Sequence, residues 1–326
     1  MKFQRTIKRV KRVIRIPFEW VGIALALVLF AILPRFMMLK LADFISFVMY
    51  KFDTRGKAHA YKNLAIVCGG RLPPNRRAEL IVRRSYRNMA RTVAHAFWTS
   101  FNAKRRVAIA GEVDKKCMEI LANHKPLVTV SGHIGCWEIL SQLAFLHGHN
   151  MMSVAKNIGT NGMTRLLMWS RRSIGQEIVP ANGAFKSLMA GMRSGMSLGL
   201  LVDQVVSPSD GGMWVEFFGR PHPVSSAPAF FAAKAKVPVV VAWSRPLKDG
   251  RYRCEFVDFI EPSEARDIWR TTQRCLTGLE RIIRRNPSCW VLNYNCFRQA
   301  PNQEEAQKLA ERVASAREKA AKTSNL

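Results

Sequence analysis

The stretch Val130-Ser-Gly-His-Ile-Gly-Cys-Trp-Glu-Ile139 holds the residue types best suited to chemistry, with His133 five residues ahead of Glu138. In a regular helix two such residues stand about 140° apart and cannot meet. With His133 in a turn ahead of the helix, the imidazole can fold back toward the carboxylate. Glu138 would then hold one ring nitrogen while the other takes a proton from a hydroxyl. That is the base and orienter of a triad, with the substrate supplying the nucleophile. Gly132 and Gly135 suit a tight turn, and N–H groups at the helix start would help hold an oxyanion. A structural histidine in a turn is the competing reading. Cys136 has no second His or Cys pair at ligand spacing, so no metal is expected. No GxSxG is present, which argues against a hydrolase with its own serine nucleophile.

The elements around this stretch alternate. Leu127–Val130, Met151–Ala155, Glu177–Pro180, Ser197–Val202, Val237–Trp243 and Arg253–Phe259 read as strands, with Cys289–Tyr294 as a last one. Helices are predicted over Gly135–His147, Gly162–Ile174, Ala184–Arg193 and Ala265–Arg285. The alternation predicts an α/β fold, a mixed sheet with helices on both faces. Domain organisation reads as a basic arm and membrane-anchor helices over 1–60, a catalytic domain over 61–300 and a charged helical tail over 301–326.

The charge balance limits the partners. Lys and Arg number 51 against 23 Asp and Glu, a net +28 on a chain that is 48% hydrophobic. Such a chain folds, and its charge calls for an anionic partner. Seven scattered cysteines without a CxxC read as free thiols in a reducing compartment. Residues 1–16 are basic without an acid, and the apolar run Pro17–Leu33 follows, broken only by Glu19. Its 17 residues span about 25 Å as helix, short of a roughly 30 Å hydrocarbon core. The expectation is an N-terminal hydrophobic anchor helix or shallow hairpin, with the body in the cytoplasm; a buried core helix is the alternative. Over Arg77–Ser100, Val82, Tyr86, Met89, Val93 and Phe97 share one helical face, and Arg77, Arg84, Arg87 and Arg91 the opposite one. That basic stripe is expected to meet lipid headgroups or an acidic protein. Nucleic acid is not expected, because no basic patch is interleaved with aromatics.

The motif H-x4-E behind an amphipathic anchor resembles the lysophospholipid/glycerolipid acyltransferase superfamily. Lys156-Asn157, Trp169-Ser-Arg-Arg-Ser-Ile-Gly175, Gly183 and Gly199-Leu-Leu-Val-Asp-Gln204 follow in order. Then come Val215-Glu-Phe-Phe-Gly219, Ser225-Ser-Ala-Pro-Ala229 and Trp290. Over about residues 15–298 the chain is similar to the bacterial late acyltransferases of lipid A biosynthesis, the lauroyl/myristoyl type. The resemblance implies transfer of an acyl group from acyl carrier protein or coenzyme A to a hydroxyl of a membrane lipid, with no cofactor. It implies His133 as base and Glu138 as its partner, Arg171 and Arg172 near a substrate phosphate, and Lys156, Asn157, Asp203 and Gln204 as further substrate-binding positions. Arginine forks suit phosphate; a surface helix charge is the other reading of that pair. Phe217, Phe218 and Gly219 read as an apolar loop lining an acyl groove, and Ser225 and Ser226 as helix caps. The implied location is the cytoplasmic (inner) membrane, with a phosphorylated lipid acceptor and membrane lipids as partners.

One departure bears on the acceptor. Family members carry a Trp-rich segment with His and Arg near the end, whereas Tyr294 and Asn295 stand at those places here. A different saccharolipid, aminolipid or lysolipid is the alternative acceptor. A non-enzymatic basic protein at the membrane or on nucleic acid is the alternative class, and His133→Ala separates the two.

Overall fold

Short β-branched and apolar runs build the centre of the molecule, here a computed structural model that describes residues 25, 27–155, 161–180 and 183–324. The chain opens with the helical residues 27–32 (α1), then α2 (Arg35–Phe52), α3 (Thr54–Val67), α4 (Asn75–Thr99) and α5 (Ala103–Ala110). Strands and helices then alternate as β1 (Gly111–Val113), α6 (Lys115–Asn123), β2 (Val128–Ser131), α7 (Trp137–Leu146) and β3 (Met151–Ala155). They continue through α8 (Asn161–Arg172), β4 (Glu177–Pro180), α9 (Ala184–Arg193) and β5 (Ser197–Leu201). A hairpin of β6 (Gly212–Phe217) and β7 (Arg220–Ser225) precedes α10 (Ala227–Ala235). Last come β8 (Val239–Pro246), β9 (Tyr252–Ile260), α11 (Ile268–Arg285) and α12 (Gln303–Ser324).

Seven strands form one mixed sheet in the order β1-β9-β8-β2-β5-β3-β4. β2 lies at its centre, parallel to β5 on one side and β8 on the other, while β9 runs antiparallel to β8. The pleat sends alternate side chains to opposite faces. Val128, Val130, Leu198 and Val241 enter a core with residues of α9, α10 and α11. On the other face Val240 and Ala242 pack with Ile120 of α6 and Leu140 of α7. The expected mixed sheet with helices on both faces is the observed one.

The outcome differs from expectation in three places. Cys289–Tyr294 is not a strand. Pro287–Cys289 forms a short 3-10 turn, and Trp290 makes a single bridge to Ile134. Phe217 and Phe218 do not line a groove; they are buried beside Trp290 in the main core. The Arg stripe of α4 is partly covered, because α2 lies along it and Arg91 forms a two-pronged bond with Asp43 (both 2.6 Å). Val93, placed by the wheel on the core face, is half exposed. The basic arm and most of the expected anchor, Pro17–Leu33, lie outside the described residues. Among the described residues no helix is long and apolar enough to cross a membrane.

Candidate active site

The register of the central strands positions the site. Ser131 at the end of β2 pairs with Leu201 at the end of β5. Two residues beyond each end, His133 and Asp203 come abreast. Asp203 Oδ1 lies 2.8 Å from His133 Nδ1, and its Oδ2 accepts the His133 backbone N–H at 2.9 Å. Trp290 donates its indole N–H to the same Oδ2 at 2.8 Å. The carboxylate therefore grips the histidine by ring and backbone at once. A Cβ on Gly132 would stand 3.1 Å from the Asp203 carboxyl carbon, so glycine admits this approach. Gly135 is required more strictly: its φ is +62°, and a Cβ would fall 1.8 Å from the Ser244 carbonyl oxygen.

The far side of the loop is also tied down. The Val291 N–H donates to the His133 carbonyl (3.0 Å) and the Gly135 N–H to the Cys289 carbonyl (2.9 Å). Ser85 of α4 donates to the Trp290 carbonyl at 2.5 Å.

Asp203 is buried, and desolvation alone would raise its pKa. The His133 charge and the hydrogen bonds from His133 and Trp290 outweigh that and hold it below the usual carboxylate value. An ionised carboxylate only accepts, so a neutral His133 carries its proton on Nδ1. The Nε2 lone pair then accepts from the Gln204 amide, whose Nε2 lies 3.3 Å away. The Trp137 ring packs edge-on against the imidazole at 4.9 Å between centroids.

Glu138 does not hold His133. As the second residue of α7 it points the other way, onto Arg171 of α8. Arg171 Nη2 donates to Oε1 at 2.6 Å and Nε to Oε2 at 3.0 Å. The pair is largely buried, and the Trp137 indole N–H adds a bond to Oε1 at 3.2 Å. Burial works against the Arg171 charge, but Glu138 more than offsets it and the pKa ends raised. The Arg171 fork is thus occupied by a carboxylate rather than open to a phosphate. Arg172 is exposed at the end of the same helix. Lys156 and Asn157 lie outside the described residues. The helix-start N–H groups do not face the cavity either: those of Glu138 and Ile139 turn back to Cys136. Of the expected caps, Ser225 accepts the Ala227 N–H at 3.3 Å, and Ser226 makes no side-chain cap.

His133, Gln204, Glu138 and Arg171 border a cavity of about 500 Å³. It runs back over the α7 face of the sheet. Thr129, Ser131, Gly199 and Leu201 line its floor, and Leu140 and Ser141 of α7 line it from the helix side. Leu121, Leu127, Ile120 and Cys117 line its inner reach. At about 3.3 Å per extended residue, the run from Ser131 back to Leu127 spans roughly 13 Å. The lining is mainly apolar, with the His133 imidazole on its border. Among the described residues no group of three or more His, Cys, Asp or Glu side chains gathers to hold a metal ion.

A family model described as bacterial lipid A biosynthesis acyltransferase matches residues 4–299. The chain belongs to that family. No curated protein matches it. Membership makes it an acyltransferase at the level of the family.

Trp290, named in the sequence only as part of the motif series, enters the site directly as a donor to Asp203. Tyr294 lies by the backbone of Val205, next to Gln204. His222 supports the same loop from behind, with Nε2 3.2 Å from the Asp203 carbonyl.

Proposed function

We propose that the protein moves an acyl chain from an acyl thioester to a hydroxyl of a lipid A precursor at the inner membrane, with its catalytic domain in the cytoplasm. The observation that carries this reading is the His133–Asp203 pair, which keeps the proton on Nδ1 and leaves Nε2 as the ring's acceptor on the border of the cavity, where it faces Gln204. Asp203, rather than Glu138, is the orienter. The acceptor O–H gives its proton to Nε2 as its oxygen bonds to the thioester carbon. The carbonyl electron pair moves onto oxygen, and the Gln204 amide, the donor nearest Nε2, stabilises it. The pair then returns, the C–S bond breaks, and the thiolate takes the proton from His133. Asp203 stays ionised and steadies the transient imidazolium. Donor thioesters on acyl carrier protein and on coenzyme A both fit this scheme, and no cofactor enters it.

The test is acyl transfer by detergent-solubilised protein, wild type beside His133→Ala. Acyl carrier protein and coenzyme A thioesters are offered with lipid A precursors, lysolipids and aminolipids, and products are read by mass. The expected result is a product heavier by one acyl chain, lost by about 10²–10⁴-fold in the variant. Tyr294 beside Gln204 makes the acceptor the open choice, and the product mass names it. Equal transfer by wild type and variant would refute the base role.

A further inference from the structure

One hydroxyl on the cavity floor has nothing to bond. Ser131 ends β2 with 2% of its surface exposed, and its Oγ is buried without a hydrogen-bond partner. The other buried serines among the described residues each have one. Ser85 donates to the Trp290 carbonyl, Ser244 to the Cys136 carbonyl at 2.7 Å, and Ser170 to the Ala96 carbonyl at 2.7 Å. Buried polar groups are paired as a rule, because an unpaired one forfeits its bonds to water for nothing. Ser131 breaks that rule inside the one cavity that also borders His133.

The pleat of β2 fixes where that side chain points. Val128 and Val130 enter the main core. Leu127, Thr129 and Ser131 therefore take the opposite face, and all three line the cavity. The side chains around the hydroxyl offer it no acceptor. Leu201 pairs with Ser131 on β5, and Ala242 follows Val241, the β8 partner of Val130. Across the cavity, Leu140 is apolar, and the Trp137 indole N–H is a donor already turned to Glu138.

The distance to the base suits a reacting carbonyl. Ser131 and His133 are two residues apart, or about 7 Å along an extended chain. An acceptor oxygen stands about 2.8 Å from Nε2 when hydrogen-bonded to it. The carbonyl carbon under attack, and then its own oxygen, fill the remaining gap toward the floor. A donor there must already be in place and must give up no other bond when the substrate arrives, since reorganisation would spend what it contributes. A hydroxyl without a partner meets that condition.

We propose that Ser131 is a catalytic hydrogen-bond donor that holds the thioester carbonyl oxygen from the cavity floor, a second donor beside the Gln204 amide. The assignment rests on the acyl-transfer reading above. As the acceptor oxygen bonds to the carbonyl carbon, the C=O electron pair moves onto oxygen and the Ser131 bond to it tightens. The pair returns as the C–S bond breaks. Ser131 keeps its proton throughout and forms no covalent bond, so His133 alone carries the proton from acceptor to thiolate.

The experiment compares full-length wild type, Ser131→Ala and His133→Ala in the acyl-transfer assay. It adds a melting profile and the affinity of each protein for a thioether analogue of the acyl donor, in which CH2 replaces the thioester carbonyl. Ser131→Ala should lower kcat by about 10²-fold with the donor KM little changed. It should melt no lower than wild type, because it removes an unpaired buried hydroxyl and no bond. It should bind the thioether as wild type does, since the analogue has no carbonyl oxygen to hold. The acid limb of its kcat profile should stay in place, because the His133–Asp203 pair is untouched. Wild-type kcat in Ser131→Ala beside an inactive His133→Ala would overturn this proposal alone. A loss of kcat matched by weaker thioether binding or a lower melting temperature would make Ser131 a packing residue and overturn it as well. Equal transfer by wild type and His133→Ala, or transfer by neither, would overturn the acyl-transfer reading and this one with it.

Discussion

Two ion pairs border the same cavity and use their carboxylates in opposite ways. Asp203 spends its oxygens on one side of His133 and leaves the other ring nitrogen as an acceptor, which faces the Gln204 amide. Glu138 and Arg171 close on each other, fork to fork, and leave neither partner's charge free. The first arrangement prepares a proton acceptor. The second ties α7 to α8 across the cavity wall. A carboxylate near a cavity is thus assigned by what its partner still has to offer, not by its distance along the chain from a histidine.

The contrast is sharpest at the two acids. Asp203→Asn keeps the shape, but an amide can donate as well as accept, so it no longer fixes the proton on Nδ1. A fall in kcat of roughly 10²–10⁴-fold is expected from steady-state rates. If the variant keeps wild-type turnover, the orienter role is wrong. Glu138→Gln removes the partner of a buried guanidinium. It should cost about 3–5 kcal/mol in denaturant unfolding, whereas a Glu138→Gln/Arg171→Met double variant should recover most of the loss. A rate defect in the double variant as large as that of Asp203→Asn would erase the distinction between the pairs.

Smaller effects test the support. Trp290→Phe keeps a ring against Phe217 and Phe218 but removes one bond to a charged oxygen, worth about 1.5–3 kcal/mol. Asp203 would then be less strongly ionised, and the acid limb of the kcat profile should move to higher pH with KM little changed. A variant that loses stability with an unmoved profile would make Trp290 a packing residue only. A further effect, spread over several pH units, lies outside both pairs. Burial pushes the His222 pKa down to about 4 and the His95 pKa to about 3. As pH falls below about 6.5, the unfolded chain takes up protons that these two folded imidazoles refuse. Each therefore costs about 1.4 kcal/mol per pH unit until its folded pKa is reached. His95→Phe should flatten the loss of stability between pH 6.5 and 4 by one proton's slope. His95 lends itself to the change because neither ring nitrogen has a hydrogen-bond partner.

Much of the fold was legible in the sequence. Met151–Ala155 and Glu177–Pro180 are strands at their expected bounds, and Ala184–Arg193 is a helix at its own. Short apolar runs bounded by turns carry that information locally. The partner of His133 was not legible. It depends on β2 lying beside β5 in a register that pairs Ser131 with Leu201, and nothing near either strand encodes that pairing. Asp203 was placed at a strand end but not beside the histidine, and Glu138, five residues from it, took the role on proximity and on the family resemblance. The stretch around Trp290 misled for the opposite reason: its apolar residues suggested a strand, but they are buried by tertiary contact in a turn.

The clamp on His133 also fixes when in its synthesis the protein can first become active. Asp203 lies 70 residues after His133, and the Trp290 that braces Asp203 lies a further 87 along the chain. Chains emerge from the ribosome N-terminus first, and contacts this distant wait for the intervening strands to dock. A nascent chain therefore carries an unaligned imidazole until the segment beyond α11 emerges.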